Sequence, residues 1–595
     1  MFQSFESTTR PEQGPPRLAA LREKLSEHGL DGFVVPRADA HQGEYVADRD
    51  ARLAWLTGFT GSAGFCAALK EIAGVFVDGR YRLQVRAQVA DVFTPVDWPE
   101  VKLAPWLKEQ LPDGGKVGYD AWLHTIHGVR DLTKDLKGSG IELVATANLV
   151  DQIWDDQPPA PDANFTAYPT EFAGEPHADK RKRLSATLDA PFVITLPDSI
   201  AWLLNIRGSD IERNPVPHSF AILHTDGTVD LFAGANKADD VRNHLGPDVR
   251  IHTSDTLLEA LTQLGDTVSV DPKSCPAIIA KTLADAKISI HHADDPCALP
   301  KACKNETELA GAKAAHLRDG AAMVRFLAWL DTTAPKGGLT EIDVVKQLEQ
   351  FRRETNQLLD VSFETICGAG SDGAIVHYRV TEETNRPVRM DELLLVDSGG
   401  QYIDGTTDIT RTVIVGTPSD LHRSCFTRVL QGMIAISRAR FPTGVAGQHL
   451  DALARYPLWL AGLDYDHGTG HGVGSYLCVH EGPQNLSRRG TVALQKGMIL
   501  SNEPGYYREG AFGIRIENLI FVEDAPALEG ADDRDMLSFE TLTYVPIDRR
   551  LVDVRLLTDG ERDWLNMYHS VTLAKIGPLV EGPVLEWLEE ACAPL

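Results

Sequence analysis

Two segments of the chain share one design: a β-rich arm, a turn containing glycine, and a second β-rich arm, with an acidic residue in each arm. ELLLVDSGGQYIDGTTDITRTVIV carries Asp397 and Asp408, and GMILSNEPGYYREGAFGIRIENLIFV carries Glu503 and Glu517. Folding the first about the midpoint between Tyr402 and Ile403 sets Asp397 directly across from Asp408. Folding the second about Gly510 sets Glu503 opposite Glu517. Side chains so opposed have Cβ atoms about 4.5–5.5 Å apart. Like charges that close are destabilising unless something neutralises them. Each pair lies in otherwise apolar arms (LLLVD, GMILSNE, GIRIE), so burial is expected, and buried carboxylates need cations. Four carboxylates match the charge of two divalent ions, and bridging carboxylates hold such ions roughly 3.5–4 Å apart in two-metal hydrolases.

Between the hairpins, DYDHGTGHGVGSYLCVHEGP supplies His467, His471 and His480. His467 and His471 are four apart, the spacing of a helical zinc pair, but the glycines at 468, 470, 472 and 474 argue against a helix. Irregular backbone that lets one imidazole approach a metal is expected instead. Oxygen-rich donor sets with one nitrogen favour manganese, cobalt, iron or zinc over copper. Upstream, GAGSDGAIVHYR presents His377 after a Gly-rich turn. Arg515 lies two residues before Glu517, on the same face of the strand, where it can reach a carboxylate. HGTGHGVG has no lysine and no strand–loop–helix frame, so it is no phosphate loop.

The elements that must position these residues fall in a third region beginning near KNETELAGAKAAHLRDGAAMVRFLAWL, an amphipathic helix with acidic residues in its first turn. Before it, an order of elements recurs. RLAALREKLSEHGL reads as a helix, DGFVVP as a buried strand, then RLAWLTGFTGSAGF; later HADKRKRLSATLDA, PFVITL and SIAWLLNIRGSD repeat the order. Phe33-Val34-Val35 answers Phe192-Val193-Ile194, and Ala54-Trp55-Leu56 answers Ala201-Trp202-Leu203, which predicts a duplicated α/β domain. DDQPPAPDANFTAYPT reads as the linker, KRKR at 180–183 as a solvated helix face, and the AWL repeats as core. The domains expected are 1–160, 161–308 and 309–595, with a C-terminal extension from about 530 that reads as a strand followed by helices.

At 595 residues, with 43% hydrophobic residues, the chain is long enough for several such domains. Its net charge of −27 repels phosphate backbones and anionic lipid, so nucleic-acid and membrane-surface roles are not expected. No apolar run reaches the roughly 18 residues of a membrane span, and the first residues do not form a secretory signal. The eight scattered cysteines, without a CxxC pair, fit a reducing cytoplasm.

The order GAIVHYR, LLLVDSGG–GTTDITRT, HGTGHGVG–VHEGP, SNEPGYY and GIRIEN resembles the pita-bread metallopeptidases, which include methionine aminopeptidase, prolidase and aminopeptidase P. AHQGEYVADRDARLAWLTGFTGSAG, FVDGRYRLQ, IAWLLNIRGSDIERNPV and FETLTYVPIDRRLV extend the resemblance to the long three-domain aminopeptidase P subfamily, over nearly the whole chain. It implies two creatinase-like α/β domains before a pita-bread catalytic domain. It further implies metal ligands at Asp397, Asp408, His471, Glu503 and Glu517, substrate-side histidines at His377, His467 and His480, and Arg515 behind the ligands. Two divalent ions per subunit, Mn2+ with Co2+ or Zn2+ as alternatives, would serve a cytoplasmic homodimer that cleaves Xaa-Pro ends of peptides. Glu503 is then the expected proton acceptor, with His377 and His480 as catalytic hydrogen-bond donors. A prolidase-type dipeptidase and a non-catalytic binding protein on the same fold are the competing readings; the second has no reason to keep five ligands in register.

Overall fold

The computed structural model describes residues 1–595 and forms two compact units, one of Thr8–Ala298 and one of Leu299–Leu595 together with Met1–Ser7. In the first unit the apolar run GFVVP forms the strand Gly32–Pro36, buried along nearly its whole length as a strand covered on both faces must be. It lies between antiparallel Phe65–Leu69 and parallel Gly115–Asp120. Ala73–Val77 and Thr94–Asp97 extend one side of this six-stranded sheet, and Ile141–Thr146 the other. The second copy repeats the plan. Phe192–Ile194 sits between antiparallel Ser219–Leu223 and parallel Thr267–Val270, and numbering the strands of each sheet in chain order gives the same spatial order, 4-3-2-1-5-6. The answering triplets hold equivalent places: the Phe-Val motifs are the first strands, and the AWL motifs lie in the helices Arg52–Thr57 and Pro197–Leu204 that follow them.

The structure corrects one local expectation and adds detail to two others. The KRKR run is only half solvated, because Lys180 and Arg181 are buried. Lys180 donates to the carbonyl of Trp202 at 3.0 Å and to Asn205 at 2.8 Å, at the end of the helix Pro197–Leu204, where a cation meets carbonyls that have no partner within the helix. The Pro-rich linker is anchored: Phe165 and Tyr168 are buried, and Thr166–Ala167 pairs with Ile206–Arg207. The break in packing between the two units falls between Ala298 and Leu299, and Met1–Ser7 belong to the second unit. Phe5 joins the core around Phe326 and Leu348, the Gln3 side chain exchanges hydrogen bonds with Thr365, and the Lys304 amide bonds the Gly497 carbonyl.

The second unit is built around the helix Glu306–Thr333, started by Asn305 in a reciprocal cap with Glu308. Two sheets carry the chemistry. One has three strands in the order Ile366–Ala369, Glu392–Ser398, Ile409–Val415. The other has six, in the order Arg440–Pro442, Met536–Thr541, Asn518–Asp524, Ile499–Asn502, Gly470–Gly472, Glu481–Leu486. They meet where the Glu517 amide donates to the Thr410 carbonyl at 3.1 Å and the Thr412 hydroxyl donates to the Arg515 carbonyl at 2.9 Å. The C-terminal part is the strand Met536–Thr541 followed by the helices Asp559–Ile576 and Pro583–Ala591.

Candidate metal centre

The first hairpin folds one residue later than its symmetry suggests, which moves each residue's partner by two. Tyr402 pairs with Gly405, leaving Ile403-Asp404 as the turn, so Asp397 faces Thr410 rather than Asp408. The turn is held elsewhere in the unit: Arg318 grips the Asp404 carboxylate with two hydrogen bonds at 2.8 and 3.1 Å, and the Gly405 backbone lies against helix residue Ala312. A shift of two keeps every side chain on its face. Asp408, just before the strand Ile409–Val415, is therefore the diagonal neighbour of Asp397 on the same face, a spacing long side chains still bridge. The second hairpin folds about Gly510, whose φ is +70°; Asn502 pairs with Asn518 and Gly505 with Arg515, which leaves Glu503 opposite Glu517.

His471 stands on the short strand Gly470–Gly472, where irregular backbone was expected; the register shifts between His471 and Gly472, so the irregularity survives as a bulge. The flanking glycines are there for close approach. A Cβ on Gly470 would lie 1.9 Å from the Ser501 carbonyl oxygen, and one on Gly472 2.3 Å from that of Glu481. The His471 Nδ1 engages the Gly472 carbonyl at 2.9 Å, which leaves Nε2 facing Asp408 and Glu503 at 3.4 and 3.5 Å. Donor atoms of Asp408, His471 and Glu517 all lie within 4.8 Å of one another.

The electrostatics are those of an anionic pocket. Asp397, Asp408 and Glu517 are buried. Burial drives the Asp408 carboxyl up to about 6, with Asp397 and Glu503 adding repulsion against the opposing pull of His471. Burial and then Asp408, Glu503 and Asp397 push Glu517 well above the carboxylate range. Burial disfavours charge on His471, but Asp408 and Glu503 outweigh it and lift the imidazole to about 9. One oxygen on each of Asp397, Asp408 and Glu517 is buried and unpartnered within the protein. Buried oxygens that no donor satisfies, beside one imidazole nitrogen, fit divalent cations.

The outer contacts explain how these groups are aimed. Arg515 donates to Asp397 Oδ2 at 2.7 Å and to the Tyr507 hydroxyl at 2.6 Å, and that hydroxyl pairs with His467 Nε2 at 2.8 Å. Thr410 donates to Glu517 at 2.8 Å; Ser501 donates to Glu503 at 3.0 Å and accepts from the His471 amide at 2.9 Å. His480 packs edge-to-face on His471, ring centroids 4.2 Å apart. His377 is half-buried after the turn Gly370–Ala374, whose Gly373 is in backbone contact with Gly513 of the second hairpin. Sequence patterns alone do not single out Tyr507, Thr410 or Ser501. The one available signal is register: Thr410 faces Asp397, and Tyr507 lies two residues beyond Gly505, the partner of Arg515.

Two carboxylate hairpins closing on one histidine, in a half of the chain built from two meeting sheets, define a metallopeptidase of family M24. The family's model matches residues 310–524 and the model of its C-terminal region 535–595, while creatinase/prolidase N-terminal domains match 17–153 and 156–308. Aminopeptidase P2 of Arabidopsis thaliana is 40% identical over 97% of this chain and 88% of its own length. Aminopeptidase P1 of Lotus japonicus is 38% identical over 97% of this chain and 99% of its own. The chain belongs to the aminopeptidase P family. The crystal structure of X-prolyl aminopeptidase from Caenorhabditis elegans, described as a cytosolic enzyme with a di-nuclear active site, superposes with a TM-score of 0.92 at 33% identity, covering 98% of this chain and all of that one.

Proposed function

We propose that the chain is a metal-dependent aminopeptidase that hydrolyses the bond between an N-terminal residue and a following proline in peptides. The observation that carries this is the convergence of Asp408, His471 and Glu517, with Asp397 and Glu503 alongside, around buried carboxylate oxygens that nothing in the protein satisfies. Asp397, Asp408, His471, Glu503 and Glu517 would hold two divalent cations, Mn2+ before Co2+ or Zn2+. When bound, such ions supply Lewis-acid polarisation and a nucleophile at neutral pH. Glu503, held by Ser501, accepts the proton of the attacking water and returns it to the proline nitrogen, which must be protonated to leave. His480 and His377 hydrogen-bond the developing oxyanion and the neighbouring substrate backbone, and His467 orients substrate from its seat on Tyr507. Arg515 binds Asp397 from behind and holds its orientation.

A homodimer is part of this reading. The helix Gly447–Trp459 leaves Leu453, Tyr456 and Trp459, with Leu460 after it, between 43% and 67% exposed, an apolar face that a second copy would cover. A cytoplasmic setting is supported by eight cysteines that form no disulfide. No helix is long and apolar enough to cross a membrane.

The test is metal analysis followed by assay. Chelation is expected to abolish activity and manganese or cobalt to restore it, with Arg-Pro-Pro-type peptides cleaved faster than X-Pro dipeptides. Cleavage of dipeptides alone would establish the prolidase-type reading, and metal-free protein with full activity would sink the mechanism.

A further inference from the structure

We propose that Lys304 and Lys301 are positioning residues for His480, acting through Glu481; this rests on the reading of His480 as a substrate-side residue. The three side chains form a buried cluster in the second unit, each residue no more than 5% exposed. The Lys304 ammonium donates to Glu481 Oε1 and, at 2.8 Å, to the Lys301 carbonyl. The Lys301 ammonium lies 3.0 Å from Glu481 Oε2. Two ammonium groups thus converge on one buried carboxylate. Stability alone does not call for that arrangement, since apolar residues of similar volume fill such a place at lower cost.

What the cluster holds is informative. Glu481 follows His480 directly and begins the strand Glu481–Leu486. It pairs with Gly472 at the point where the register of the His471 strand shifts. A bulge re-aims side chains and is the least constrained point of a ladder. His471 and His480 meet edge-to-face across this point. Lys304 is itself clamped: its amide donates to the Gly497 carbonyl at 3.1 Å, and the left-handed Gly497 lies so close that a Cβ there would sit 2.6 Å from the Lys304 carbonyl oxygen. The lysines therefore peg the bulged strand end from its far side, and the His480 ring inherits its place from that peg.

The experiment is a double-mutant cycle between Lys304→Met and His480→Ala in the full-length, manganese-loaded chain, reading metal content, kcat and KM on an Arg-Pro-Pro peptide. Lys301 continues to pair Glu481 in Lys304→Met. That variant is expected to keep the metal content of the unaltered chain and to lose roughly 10- to 100-fold in kcat, the scale of a small misplacement of a catalytic group. Added to His480→Ala, it is expected to change kcat little further. Effects that multiply independently, or kcat unchanged by Lys304→Met, overturn the proposal. If His480→Ala alone leaves kcat unchanged, the reading of His480 falls and the proposal with it. Should Lys304→Met fail to fold, Lys301→Met, which leaves the Lys304–Glu481 bond in place, goes through the same cycle: non-additivity with His480→Ala supports the proposal, and independent effects or an unchanged kcat overturn it.

Discussion

The Tyr507 hydroxyl shows how much of this site is decided one atom at a time. It accepts from Arg515, itself bonded to Asp397, and pairs with His467, so one oxygen joins the Arg515–Asp397 pair to that histidine. Burial raises the phenol further above its ordinary range, against the pull of Arg515, and it stays protonated. Tyr507→Phe is expected to keep its metal and to lose about 10-fold or more in kcat/KM, the usual cost of removing a contact behind a metal ligand. Metal loss in that variant would show that Tyr507 supports the ligands rather than the histidine. A second comparison separates the two classes of residue. Asp408→Ala is expected to lose metal and activity together, whereas His480→Ala keeps most of its metal while kcat falls roughly 10²-fold. Equal metal loss in both would mean that His480 is a ligand rather than a substrate-side residue.

At the scale of elements, hairpin register does most of the positioning. The second hairpin follows its own symmetry because a glycine with positive φ sits at its tip. The first does not, because Arg318 and the backbone near Ala312 capture the turn. Strand pairing also makes a prediction in the N-terminal unit. Parallel pairing sets Asp230 beside Arg250, and its carboxylate accepts from Arg250, His224 and His252 at 2.6–2.9 Å. Burial opposes ionisation there, but those three donors hold the carboxyl well below its usual range. A group depressed in the folded state contributes stability above its unfolded pKa and loses it as pH falls through the folded value. The contribution is therefore complete above about pH 4 and fades at lower pH. Asp230→Asn is expected to cost about 1 kcal/mol at pH 7, discounted because Arg250 is half-exposed, and to flatten the acid limb of the stability curve. Denaturant melts at pH 7 and pH 3 check it; an equal loss at both would assign the effect to packing.

At the scale of the whole molecule, the boundary between units determines which truncation keeps a sound catalytic half. A chain beginning at residue 310 holds every proposed ligand but lacks Lys301, Lys304 and the cap Asn305. It leaves Glu481 buried without a cation, which costs about 3–5 kcal/mol, and the long helix without its cap, about 1 kcal/mol. A chain beginning at 299 keeps all of these. Both lack the first seven residues and their contacts, so the difference between them isolates residues 299–309. The longer truncate is expected to be the more stable by a few kcal/mol in denaturant melts, and equal midpoints would refute the assignment of the boundary.

Much of this protein was determined by sequence alone. The duplicated α/β plan, the two hairpins and the acidic residues that face one another across them were legible because each rests on local pattern: alternating or continuous apolar runs, turn residues at the tips, and like charges set on one face. The fold about Gly510 needs nothing from outside its own segment. Tertiary structure decided whatever depended on a distant partner. The first hairpin's register was settled by a helix some ninety residues upstream, Lys180 was drawn inside by the end of another helix, and Lys304 found its carboxylate across 177 positions. No local pattern carries such information, because a salt bridge or a backbone contact is specified by where two elements meet, and that is set by how the cores around them pack.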